Sequence, residues 1–169
     1  MTVQREHAFQ GIADRFIDRV MLAPYWTTGI NHENELTDNA RARARGRGVK
    51  PGVPDIYIAQ GGRSCWIELK WGSNQPSDAQ IAVHDALTDC QIARSFAWSI
   101  HGIMTALLGA GFSLHPNALN IAVEYQARAE AAVAKAEERA SRPRSRGRAR
   151  SLKPTPAQVR RVRAAGVLV

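Results

Sequence analysis

Long apolar runs and cysteines are scarce in this sequence. No stretch approaches the roughly 18 consecutive apolar residues of a membrane span, and the N-terminus lacks the charged segment and apolar run of a signal peptide. The two cysteines, Cys65 and Cys90, lie far apart and lack the paired Cys/His spacing of a zinc site. We therefore expect a soluble, cytoplasmic protein with no membrane partner, in which both cysteines are buried and reduced.

Acidic residues are absent after Glu138, and this divides the chain into two parts of opposite charge. Residues 1–138 carry 13 Lys and Arg against 15 Asp and Glu, a net charge of −2. Residues 139–169 carry 10 basic residues and no acid, a net charge of +10, and have too few apolar residues to offset the entropy of ordering. We expect 139–169 to be a flexible basic tail, in which Thr155 and Pro156 are suited to begin a short helix.

Local patterns predict alternating helices and strands. The apolar residues between positions 9 and 20 have the spacing of one helix face, and the order of the elements predicts a mixed sheet with helices packed on its faces. We predict helices over residues 3–22, 78–90 and 119–138, and a further helix that begins at Ser99 and ends near 109–111. We also predict a helical turn at 38–45, and strands over 25–30, 55–60, 65–71 and 92–98. In this α/β arrangement, 1–118 form the main domain, followed by the Ala/Glu-rich helix at 119–138 and the tail.

Two carboxylates and a lysine fall on the predicted hairpin. Because side chains alternate across a strand, Glu68 and Lys70 share one face while the apolar residues around them share the other, towards the core. Asp55, at the start of the partner strand, can then approach Glu68 and supply hard oxygen ligands for Mg²⁺, which would polarise a phosphodiester and activate a water. The alternatives are that Asp55 only caps a strand and that Glu68 and Lys70 form a solvated ion pair.

The joint pattern resembles a known nuclease family over roughly residues 6–112. The residues that carry the resemblance are Gly48-Val49-Lys50-Pro51-Gly52-Val53-Pro54-Asp55-Ile56, then Ile67-Glu68-Leu69-Lys70, then Ser77 and Gln80. They are similar to the VRR-NUC branch of the PD-(D/E)XK nucleases, whose stand-alone members look like phage or bacterial DNA nucleases. Some of these act as dimers on branched DNA.

The resemblance implies a restriction-endonuclease-like core and a set of site residues. Asp55, Glu68 and the main-chain carbonyl of Leu69 would be metal ligands, Lys70 would be the catalytic lysine, and Gln80 would lie near the metal. The cofactor would be Mg²⁺, with Mn²⁺ as a substitute, and no small-molecule cofactor is implied. The expected partner is DNA, and the formation of a homodimer is left open.

Two site residues have structural alternatives. Gln80 is also the third helical residue of a capping box with Ser77, where its side chain would accept from the Ser77 backbone N–H. Glu6 lies three residues before Phe9 and borders the apolar stripe of the first helix, at a place where the family often has an acid that completes the site. It could equally serve as a first-turn acid that favours the helix dipole.

Basic residues are concentrated at two places that favour contact with a phosphate backbone. The alternatives are a solvated face for the first group, and RNA binding or a plain linker for the tail. The candidate DNA-binding residues are Arg41, Arg43, Arg45, Arg47 and Lys50 before the hairpin, and Arg144, Arg146, Arg148 and Arg150 in the tail.

The sequence thus predicts a Mg²⁺-dependent DNA endonuclease, with selectivity for branched or four-way junction DNA as an option. Two other functions stay open at this point. One is a non-catalytic DNA-binding protein that keeps the nuclease fold, and the other is a sequence-specific restriction or homing-type endonuclease.

Overall fold

A computed structural model of the chain describes residues 2–30, Gly46 and residues 50–141. The predicted helical turn at 38–45 and the predicted short helix in the tail lie outside these residues. The described helices are α1 (Thr2–Val20), α2 (Asp78–Asp89), α3 (Ile100–Gly109) and α4 (Ala118–Ser141), and the strands are β1 (Trp26–Gly29), β2 (Ile56–Gln60), β3 (Arg63–Leu69) and β4 (Ala93–Ala97). All eight elements agree with the predicted ones to within about two residues at most ends.

The four strands form one mixed sheet in the order β1-β2-β3-β4. β1 pairs antiparallel with β2 and β2 antiparallel with β3, whereas β3 pairs parallel with β4. The hairpin turn is tighter than predicted, because Gln60 pairs with Arg63 and leaves two turn residues. These are Gly61 and Gly62, both with positive φ, as the favoured two-residue hairpin turn requires. The mixed α/β sheet flanked by helices is therefore confirmed.

One face of the sheet, here called the inner face, carries the apolar core. Its buried residues on β2 and β3 pack in a single cluster with apolar residues of α1, α3 and α4. The periodicity of α1 explains its place, since every residue of its predicted apolar stripe is at most 7% exposed. The inner-face residues of these two strands are Ile56, Ile58, Cys65, Ile67 and Leu69.

The opposite face, here called the outer face, is covered at one end by α2. The ring of His84 on α2 stacks on Phe96 of β4 at 3.7 Å between centroids. Phe96 is registered with Glu68 of β3, so α2 covers the end of the outer face where Glu68 lies. None of the helices that the structure describes is long and apolar enough to cross a membrane.

The prediction for the cysteines was half right. Cys65 is buried in the core, and burial raises the pKa of its thiol to about 12. Cys90 is exposed, contrary to expectation. It is the C-cap of α2 and follows the last helical residue, so it is not one of the residues that pack on the sheet.

Candidate functional site

Asp55 is fixed by backbone contacts at the start of β2. Its carboxylate Oδ2 accepts a hydrogen bond from the backbone N–H of Leu69 at 2.7 Å, and its carbonyl accepts from the N–H of Ile30, also at 2.7 Å. The first contact ties the carboxylate to the end of β3, next to Glu68. The predicted approach of Asp55 to the Glu68 segment is therefore present in the fold.

The loop before Asp55 packs closely against α2, and Gly52 makes this possible. Gly52 has a φ of +82°, and a Cβ at this position would lie 2.8 Å from the backbone nitrogen of Gln80 and still closer to the carbonyl of Ala79. A side chain is therefore excluded by both conformation and space. This contact brings the first turn of α2 to the residues that precede Asp55.

Glu68 and Lys70 form a buried ion pair on the outer face. Lys70 Nζ lies 2.8 Å from Glu68 Oε1, and the two residues are only 6% and 2% exposed. The alternative of a solvated ion pair is therefore wrong, and the side chains lie in a covered site rather than an open cleft. Since burying charges is costly unless they are paired, the ammonium and the carboxylate stabilise one another here.

Gln80 makes the predicted capping contact and a second contact with Glu68. Its side-chain oxygen accepts from the Ser77 backbone N–H at 2.9 Å, which completes the capping box, and its Nε2 donates to Glu68 Oε1. The capping role is confirmed, and the same amide also reaches the site. Glu68 Oε1 thus accepts from both Lys70 and Gln80.

Glu6 is held by a loop that sequence reasoning missed. Its Oε1 accepts from Asn74 Nδ2 at 2.8 Å, and the carbonyl of Asn74 accepts from the indole N–H of Trp98 at 3.0 Å. Asn74 therefore connects α1 to the end of β4. The role of Glu6 as a metal ligand stays a prediction.

A second acid of α1, Asp14, was also missed. Burial raises the pKa of its carboxyl above the ordinary value, and the negative charges of Asp18 and Asp55 raise it further. The charge of Asp55 therefore reaches this carboxyl of α1. The signal was present in the sequence, because Glu6, Gln10 and Asp14 recur at i, i+4 and i+8 beside the apolar stripe.

The donor chemistry of this end of the outer face is of the kind that Mg²⁺ prefers. Two carboxylates, Asp55 and Glu68, flank the backbone of Leu69, and carboxylate and carbonyl oxygens are hard ligands. Within residues 2–30 and 50–141, no group of three or more His, Cys, Asp or Glu is arranged to hold a metal. The resemblance implies a metal site made of two carboxylates and one main-chain carbonyl. Asp55, Glu68 and Leu69 supply these groups, so the residues present fit Mg²⁺.

The predicted DNA-binding residues fall mostly outside the described part of the chain. Lys50 lies within it and is exposed, at the start of the loop that leads to Asp55. Its companions before the hairpin and those in the tail lie beyond the described residues. They are Arg41, Arg43, Arg45 and Arg47, and Arg144, Arg146, Arg148 and Arg150.

No family model, no curated protein and no solved structure matches this chain.

Proposed function

We propose that the chain is a Mg²⁺-dependent endonuclease that hydrolyses DNA phosphodiester bonds, with a restriction-endonuclease-like core of the VRR-NUC type. One observation carries this proposal. The Asp55 carboxylate is hydrogen-bonded to the Leu69 N–H, directly beside the buried Glu68–Lys70 pair. Acids and a lysine are rarely buried together without a purpose beyond folding, because apolar residues would fill the same space at lower cost.

Each residue has a proposed task. Asp55, Glu68 and the Leu69 carbonyl would hold Mg²⁺, which when bound would polarise the phosphate and lower the pKa of a coordinated water. Lys70 would stabilise the charge that develops on the phosphate, and Gln80, which donates to Glu68, would hold that carboxylate in one orientation. The body of the protein is slightly acidic, so the basic tail would supply the attraction for a polyanion.

The test is a cleavage panel with the full chain. Linear duplex, flapped and four-way junction DNA are incubated with Mg²⁺, Mn²⁺ or EDTA, and the products are sized. We expect cleavage with either metal and none in EDTA. Symmetric cuts across a four-way junction need two active sites, so there we expect a homodimer. Binding without cleavage of any substrate would refute the proposal.

A second candidate is DNA binding without cleavage on the same fold. It is favoured by the engagement of Glu68 Oε1 by both Lys70 and Gln80, which leaves that oxygen less available to a metal. Deletion of residues 139–169 separates the two candidates. A nuclease keeps some cleavage at low salt, whereas a tail-driven binder loses its function. Discrete cleavage sites on a plasmid would instead favour a sequence-specific restriction or homing-type enzyme.

A further inference from the structure

Three aromatic side chains form a row across the uncovered part of the outer face. The ring centroids of Trp26 on β1 and Tyr57 on β2 are 5.7 Å apart, and those of Tyr57 and Trp66 on β3 are 4.8 Å apart. Trp26 is 58% exposed, and the other two rings are half-buried. Among the described residues, α2 packs on β4 and the other helices pack on the inner face, so no helix covers this aromatic row.

The aromatic row is bordered by a cation at its Trp66 end. Arg94 on β4 is registered with Trp66 and is exposed. At the other end, an open pocket of about 560 Å³ is lined by Trp26, Tyr57 and Ser64, among others. The strand residues of this part of the outer face include no acid, so the surface combines aromatic rings with positive charge only.

The aromatic row is continuous with the proposed catalytic site. Trp66 and Glu68 are two residues apart on β3 and share the outer face, which places them roughly 7 Å apart along the strand. That separation is close to the spacing of successive nucleotides in an extended strand. A strand with a phosphate at Glu68 would therefore lay its neighbouring nucleotides over Trp66, Tyr57 and Trp26.

We propose that the aromatic row binds unpaired nucleotides of the DNA substrate by stacking their bases on Trp26 and Tyr57, with Arg94 contacting a phosphate. Aromatic rings on an open, positively charged surface bind single strands without sequence preference, because every base has a π face. The inference rests on the proposed function and sharpens it, since it makes a single-stranded flap or gap part of the preferred substrate. A duplex hides its bases and cannot use these rings.

The experiment measures binding of the full chain in EDTA, so that no cleavage occurs. Two labelled probes are compared by fluorescence anisotropy: a dT oligomer of about 12 nucleotides and an abasic backbone of the same length. Both carry the same phosphates, so the ratio of their affinities isolates the contribution of the bases. The variants are Trp26→Ala and Trp26→Phe, and the matched control is Leu119→Ala, because Leu119 on α4 is 60% exposed, much like Trp26.

We expect the wild type to bind dT at least tenfold more tightly than the abasic probe. Trp26→Ala should remove most of this preference without changing abasic binding, Trp26→Phe should restore part of it, and Leu119→Ala should leave it intact. Equal affinity of the wild type for both probes would overturn the inference. It would also be overturned if Trp26→Ala kept the dT preference, or if that variant changed only the oligomeric state measured by sedimentation, which would make this face a protein contact.

The two proposals fail separately. A wild type that prefers dT in EDTA but cuts no DNA with Mg²⁺ contradicts the endonuclease and leaves the aromatic row as a strand-binding surface. A wild type that cuts DNA but binds the two probes equally contradicts the aromatic row alone.

Discussion

The two ends of the outer face are built on opposite principles. At the polar end, Glu68 and Lys70 are charged, almost inaccessible to solvent and covered by α2. At the aromatic end, Trp26 is apolar and 58% exposed. Both ends belong to the same sheet. Apolar residues are normally covered and charged ones exposed, so each end reverses the usual arrangement.

Stability and function should therefore depend on the same side chains at the polar end and on different ones at the aromatic end. At the polar end, Glu68 accepts hydrogen bonds from both Lys70 and Gln80, so a substitution there should lower both the stability of the fold and the rate of cleavage. At the aromatic end, Trp26 is 58% exposed, so its replacement should change binding while the fold persists.

The largest effect is expected from Lys70→Ala at the polar end. The substitution leaves the buried Glu68 carboxylate without its ammonium partner, which should cost about 3 kcal/mol or more in the free energy of unfolding. Cleavage should fall at least about 100-fold, because a fixed positive charge is lost from the site. Urea unfolding and single-turnover cleavage measure the two effects.

Lys135→Ala is the control for this prediction, because Lys135 is exposed on α4. It should change the unfolding free energy by less than about 0.5 kcal/mol. If Lys70→Ala were equally mild, the buried pair would not hold the polar end together.

Gly52→Ala should be the next most damaging change. The new Cβ would overlap the backbone of α2 at Ala79, so the loop that leads to Asp55 must move away. Gly61→Ala is the matched control, because Gly61 also has a positive φ but has no heavy atom within 4 Å of a built Cβ. We expect about 1–2 kcal/mol for Gly61→Ala and a further 1–3 kcal/mol for Gly52→Ala in thermal unfolding. Equal losses would mean that the contact of the loop with α2 contributes nothing.

Two substitutions with smaller expected effects on stability and cleavage distinguish the two contacts of Gln80. Ser77→Ala removes only the hydroxyl of the capping box and should cost about 1 kcal/mol without affecting cleavage. Gln80→Ala removes the cap contact and the donor to Glu68 together, so it should cost about 1 kcal/mol more and slow cleavage about tenfold. If both variants cut at the wild-type rate, Gln80 is a capping residue alone.

The smallest effect concerns His84, a residue of α2 whose ring stacks on Phe96 of the outer face. Burial lowers the pKa of this histidine below 6.5, Arg94 lowers it further, and Asp85 acts in the opposite direction. Because the folded pKa is depressed, His84 contributes stability above pH 6.5 that is lost as the pH falls through its folded pKa. We expect wild type to lose more stability than His84→Gln between pH 7.5 and about 5, measured by thermal unfolding. Parallel losses would show that His84 does not titrate in this range.

Local patterns predicted much of the polar end. Strand alternation placed Glu68 and Lys70 together on the face opposite the core, and the spacing of Ser77 and Gln80 predicted the capping box that the structure contains. These features depend on residues that are near one another in sequence, and the geometry of a single helix or strand determines them.

Features that depend on docking between elements could not be predicted in this way. The burial of the Glu68–Lys70 pair requires α2 to pack on the sheet, and the raised pKa of Asp14 depends on how α1 packs against its neighbours. The aromatic row likewise depends on the register of three strands. Trp26 lies diagonal to Tyr57, an offset that no single-strand pattern contains.

Asp55 is proposed to hold the metal ion needed for DNA cleavage, and its replacement by an uncharged amide of the same size isolates that role. Single-turnover cleavage of flapped DNA with Mg²⁺ is compared for wild type, Asp55→Asn and the control Asp78→Asn, an exposed acid in the first turn of α2. We predict that wild type and Asp78→Asn cut at similar rates, and that Asp55→Asn binds the DNA but does not cut it. Cleavage by Asp55→Asn at the wild-type rate would contradict the claim.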